Sequence, residues 1–139
     1  MTTDEVKERL RAYRRIRNEC EGLKNRIERK RSDMHYLQAV VSDSTSRGRG
    51  VSDSVERAVE KIDGLIRYYA ERVAECEEAE QTVLEIIGCV DDPDGRSILF
   101  LRYIEGERFE DIADALHISN GTMWSRYNTA LKNICSELE

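Results

Sequence analysis

Asn120, Thr122, Trp124, Ser125, Arg126, Asn128 and Lys132 fall within a stretch of thirteen residues. Their side chains are of the kinds that read and grip a nucleic acid. Asn pairs with adenine, Ser and Thr both donate and accept, Arg bridges a phosphate or a guanine, and Lys suits a phosphate. An outward Trp contacts a thymine methyl or a sugar face, or packs on a protein surface. Acid–base and nucleophilic chemistry finds no comparable cluster. The chain has no nucleophile patterned beside a base, no phosphate-cradling glycine loop and no H-E-x-x-H, and its Glu residues recur at helical spacing, the pattern of a solvated face. The expectation is a non-enzyme without a cofactor.

Those residues need a frame that turns them outward. In RFEDIADALHISNGTMWSR (108–126), Phe109, Ile112, Ala113 and Leu116 share one helical face, His117 to Ser119 interrupt it, and Met123, Tyr127, Ala130, Leu131 and Ile134 form a second face. This is the one-dimensional pattern of a helix-turn-helix. Ser119 stands where an N-cap is needed, Ile118 can pack back as a hydrophobic staple, and Ala113 is small where two helices cross. His117 sits where the first helix must end, a position suited to positive φ. With the second apolar face inward, Asn120, Gly121, Trp124, Ser125 and Asn128 point out, flanked by Thr122 and Arg126.

This segment resembles region four of bacterial sigma factors. ILFLRYIEG (98–106) is similar to its lead-in helix, FEDIADA (109–115) to its support helix and ISNGTMWSRYNTA (118–130) to its recognition helix, a likeness over about 40 of the 139 residues. The resemblance implies binding to double-stranded DNA, with Asn120, Thr122, Trp124 and Ser125 at base edges or adjoining phosphates and Arg126 and Lys132 on the backbone. It also implies contact with RNA polymerase. The layout of the whole chain is similar to small phage and prophage regulators of the autolysin-regulator-like type.

Upstream, Val6, Leu10, Tyr13, Cys20, Leu23, Ile27, Met34, Leu37 and Val41 recur at spacings of three and four, with Arg17 and Lys30 filling seam positions. That predicts a long amphipathic helix, started by a capping box of Thr2 and Glu5. SDSTSRGRGVS (42–52) lacks a seam and reads as a hinge. A second helix starting near Asp53 carries Val55, Val59, Ile62, Leu65, Ile66, Tyr69, Val73, Cys76, Ala79, Val83, Ile86 and Ile87, and stops around Gly88 to Asp92. Asp92 followed by Pro93 restarts a helix.

Residues 1–50 hold 13 Lys/Arg against 8 Asp/Glu, residues 51–95 hold 4 against 13, and residues 96–139 hold 5 against 7. Opposite charges favour packing the first two helices together, in an antiparallel hairpin turning near residue 48 that sets Cys20 near Cys76 and Met34 near Ile62. The expected fold is all-α: a long antiparallel helical hairpin (1–90, hinge 42–52) followed by a small helix-turn-helix domain (93–139). Apolar Ile66, Tyr68 and Ile87 left on outer faces suggest a homodimer, a four-helix bundle that presents two recognition helices.

The basic residues of the first helix (Arg9, Arg11, Arg14, Arg15, Arg26, Arg29, Lys30, Arg31), with Arg47 and Arg49, admit two readings. They answer the acidic second helix and solvent, or they supply phosphate attraction that the slightly acidic C-terminal module lacks. Four dispersed cysteines and two histidines give no metal-ligand spacing, so a reducing cytoplasm is expected. No membrane partner is expected either, for want of a long apolar run. Two function classes follow: a phage-type transcriptional regulator, or an oligomeric interaction protein such as a packaging adaptor that uses the same module as a protein-binding surface.

Overall fold

The computed structural model describes the backbone of residues 1–43 and 49–139 and the side chains of 1–39 and 53–139. Five α-helices and no strand are present among the described residues: α1 (Thr3–Asp43), α2 (Arg49–Gly88), α3 (Pro93–Tyr103), α4 (Phe109–Ala115) and α5 (Asn120–Glu137). The architecture is a long helical pair followed by a helix-turn-helix module.

Local chemistry sets most of the boundaries. The Thr2 amide donates to Glu5 Oε2 and the Glu5 amide to Thr2 Oγ1, each at 3.2 Å, which closes the capping box of α1. Asp92 caps α3 by accepting from the Asp94 and Gly95 amides, with Pro93 occupying the first turn, where no amide is needed. One boundary differs from the sequence reading. Ser42 and Asp43 close α1 and α2 opens at Arg49, so the expected hinge is shortened from both sides and its middle, 44–48, lies outside the described residues. Gly and Ser are costly in a helix interior, but Gly50 and Ser52 fall in the opening turn of a long helix, where little is lost.

The chain forms two compact units. One comprises Asn18–Ala74, the facing stretches of α1 and α2. Its seam buries Cys20, Ile27 and Ile62, and burial weakens toward Met34 and Leu37. Met34 and Leu37 share a cleft of about 360 Å³ with Ile62 and Ser54, the antiparallel register expected. The helices are cross-linked through the minority charge of each: Glu19 of basic α1 accepts from the Tyr68 hydroxyl at 3.1 Å and from Arg72 Nη2 of acidic α2 at 3.0 Å.

The other unit comprises Met1–Arg17 and Glu75–Glu139. Its core joins Val6, Leu10 and Tyr13 of α1 and Val83, Ile86 and Ile87 of α2 to Ile98 and Leu99 of α3, Ile112 and Ala113 of α4, and Met123, Tyr127, Ala130, Leu131 and Ile134 of α5. Residues 93–139 therefore share one core with the start of α1 and the end of α2. Ile87, expected on an outer face, is 5% exposed because it packs into this cluster. Leu10 is fully buried, and each such aliphatic side chain stabilises the fold by roughly 1.5–3 kcal/mol. Gly95 lets α3 and α5 meet: a Cβ there would lie 3.1 Å from Val90 Cγ1 and 3.3 Å from Ala130 Cβ.

Candidate nucleic-acid interface

The recognition helix is set by its first residues. Ser119 Oγ accepts from the Thr122 amide at 3.1 Å and donates to Thr122 Oγ1 at 2.9 Å, satisfying a free amide of the first turn of α5. His117 takes φ +56°, and the Ile118 amide returns to the Ala113 carbonyl at 3.1 Å, which turns the chain from α4 into α5. Met123, Tyr127, Ala130, Leu131 and Ile134 are buried, as their spacing implied.

The outward side of α5 carries the residues singled out in the sequence. Asn120, Gly121, Ser125, Asn128 and Lys132 are exposed, and Trp124 is 43% exposed. Three of the seven candidates have protein partners. Thr122 is engaged in the cap. Arg126 forms an ion pair with Asp94, in the first turn of α3, so its guanidinium reaches a phosphate only in competition with that carboxylate. Trp124 stacks on Phe109, with ring centroids 4.4 Å apart, and meets Tyr127 edge-on at 5.7 Å. Phe109 in turn touches Tyr127 at 5.1 Å and lies under the Arg102 guanidinium at 4.2 Å.

Beneath these rings the Tyr103 and Tyr127 hydroxyls share a buried hydrogen bond of 2.6 Å. Burial, reinforced by this bond, pushes the Tyr127 phenol well above its ordinary range, so it stays neutral and ties α3 to α5. A cleft of about 340 Å³ opens beside Trp124, lined by Lys7, Arg11 and Arg14 of α1, by Arg102, Tyr103, Gly106 and Phe109, and by Trp124 and Tyr127. Four of these residues are cationic and none is a carboxylate. Arg14 and Arg17 both donate to the Ile104 carbonyl, at 3.2 and 3.3 Å, where α3 ends. Gly106 makes this approach possible: it sits at φ +74°, and a Cβ on it would collide with the Arg14 guanidinium.

An exposed polar helix face, capped by Ser119 and held across a support helix by a shared core, defines a module of the DNA-binding helix-turn-helix type. Residues 92–134 match the family model described as Sigma-70, region 4, which makes this module sigma region four-like. No curated protein and no solved structure matches the chain.

Sequence reasoning did not single out Lys7 or Arg102, nor the grouping of Lys7, Arg11 and Arg14 with the aromatic cluster. The signal available was the excess of basic residues on α1, but its spacing alone does not say which of them meet α3. Among the described residues no helix is long and apolar enough to cross a membrane.

Proposed function

We propose that this protein is a transcriptional regulator of the phage or prophage type that reads double-stranded DNA by laying the outward side of α5 in the major groove. The observation that carries the proposal is the exposed set Asn120, Ser125, Asn128 and Lys132 on a Ser119-capped helix within the segment matching Sigma-70, region 4. Asn120 and Ser125 supply base-edge hydrogen bonds, Thr122 and Trp124 adjoin them, and Lys132 and Arg126 meet phosphates. Contact with RNA polymerase follows from the same likeness. A homodimer would bring two such helices to paired half-sites and cover Tyr36, Val59 and Tyr68, which are exposed on the helical pair.

The test is selection of bound duplexes from a pool of random sequence. Enrichment of a defined motif, altered by Asn120→Ala or Ser125→Ala, supports the reading. A pool that stays random after repeated rounds at low salt refutes it.

A second reading, an oligomeric interaction or packaging adaptor, is favoured by one observation: Arg126, a prime phosphate ligand by type, is held by Asp94. Under that reading the half-exposed Trp124 anchors a protein partner, and Trp124→Ala abolishes its capture without any effect of DNA.

A further inference from the structure

Resting on the DNA-binding reading, we infer that the DNA-binding surface extends beyond the helix-turn-helix module onto α1, where Lys7, Arg11 and Arg14 form with Arg102 a clamp for the phosphates of one DNA strand. At 100° per residue, Trp124 lies on the edge of α5 between the buried side (Tyr127, Leu131) and the outward side (Ser125, Asn128), whereas Thr122 and Arg126 lie on the opposite edge. A recognition helix seated in the major groove has a phosphate backbone along each edge. On the Arg126 edge the nearest charge is balanced by Asp94. On the Trp124 edge lies the cleft with four cations and no lining carboxylate.

Three of the four cations are held in place before any ligand arrives. Arg14 is fixed by the Ile104 carbonyl and Arg102 by the Glu107 carbonyl at 3.1 Å and by the Phe109 ring, while Arg11 is paired with Glu8 at 2.8 Å and meets a phosphate in competition with that carboxylate, which also holds Arg15. Residues 96–139 carry a net charge of −2, so Lys132 and Arg126 alone attract a polyanion weakly and further cations are needed from elsewhere in the fold. The part of α1 packed into the same core supplies them.

The test compares the full-length protein with two double variants that each lose two positive charges: Lys7→Gln/Arg11→Gln in the clamp, and Lys24→Gln/Arg26→Gln farther along α1. Binding to a labelled random-sequence duplex is measured by anisotropy across a salt series, with circular dichroism to check helicity. Loss of two phosphate contacts makes the dependence of log affinity on log salt shallower by about 1.8. The advantage of wild type over the clamp variant then shrinks about 12-fold between roughly 50 and 200 mM salt. The control variant keeps the wild-type slope, and the fluorescence of Trp124, the single tryptophan, changes on binding in wild type. Equal slopes in both variants and wild type overturn the clamp while leaving the proposed function standing. If wild type binds no duplex at low salt, both fall. Stronger perturbation of Trp124 by polyglutamate than by duplex assigns the cleft to an acidic peptide and overturns the clamp.

Discussion

Replacing Gly106 by Ala probes how α1 is fastened to the helix-turn-helix module. Two costs arise. A Cβ at φ +74° strains the backbone by about 1–2 kcal/mol, because the left-handed region crowds any L side chain. The same Cβ collides with the Arg14 guanidinium, which must swing off the Ile104 carbonyl, and losing that partly exposed hydrogen bond costs about 1 kcal/mol. The expected sum is about 2–3 kcal/mol. The assay is urea unfolding followed by the fluorescence of Trp124, which lies in the unit that contains Gly106 and so reports on it. In an Arg14→Ala background the collision is already gone, and Gly106→Ala then costs only the backbone share, about 1–2 kcal/mol. A total below about 1 kcal/mol in wild type, or an equal cost in both backgrounds, refutes the collision as described.

Two further expectations concern the tyrosine pair and the ion pair on α5. The raised Tyr127 ionisation means that its contribution is fully present below the ordinary tyrosine value of 10.0 and is lost above it, as the unfolded phenol ionises while the buried one does not. Stability should fall by up to about 1.4 kcal/mol per pH unit beyond that point. Tyr127→Phe leaves the Tyr103 hydroxyl buried without its partner and costs about 1–3 kcal/mol, whereas Tyr103→Phe/Tyr127→Phe is close to neutral at pH 7 and unfolds with a weaker alkaline dependence; urea titrations at neutral and alkaline pH check both. Asp94→Asn releases Arg126 at a stability cost of at most about 1 kcal/mol, since the pair is partly exposed. It should tighten duplex binding and steepen the salt slope by about 0.9, and an unchanged slope argues against any phosphate role for Arg126.

The features legible in the sequence are those written in neighbouring residues. Thr2 with Glu5, Asp92 with Pro93, Ser119 with Thr122 and the positive φ of His117 each depend on a few consecutive positions, and the structure has all four. The outward orientation of Ser125 and Asn128 follows from one helix's periodicity, so it too was readable, whereas Asn120 shares the stripe of Tyr127 and Leu131 and is exposed as the first residue of α5. What escaped depends on partners far along the chain. The burial of Ile87 requires knowing that the end of α2 joins the core of α3 to α5. The Asp94–Arg126 pair spans 32 positions, and the Arg14–Ile104 bond spans 90. Charge counts gave the basic bias of α1 and the acidic bias of α2, yet the Glu19–Arg72 bridge uses the opposite signs, because a contact is decided by register rather than by average composition.

The closure of the core by Val6, Leu10 and Tyr13 also sets the order in which the molecule can mature. A chain emerging amino end first exposes these three side chains before α3, α4 and α5 have been made, and the helix-turn-helix module cannot complete its core until α5 arrives. Assembly of the helix-turn-helix module thus waits until α5 has been made, and a nascent chain halted before α5 carries bare apolar surface on the unfinished core.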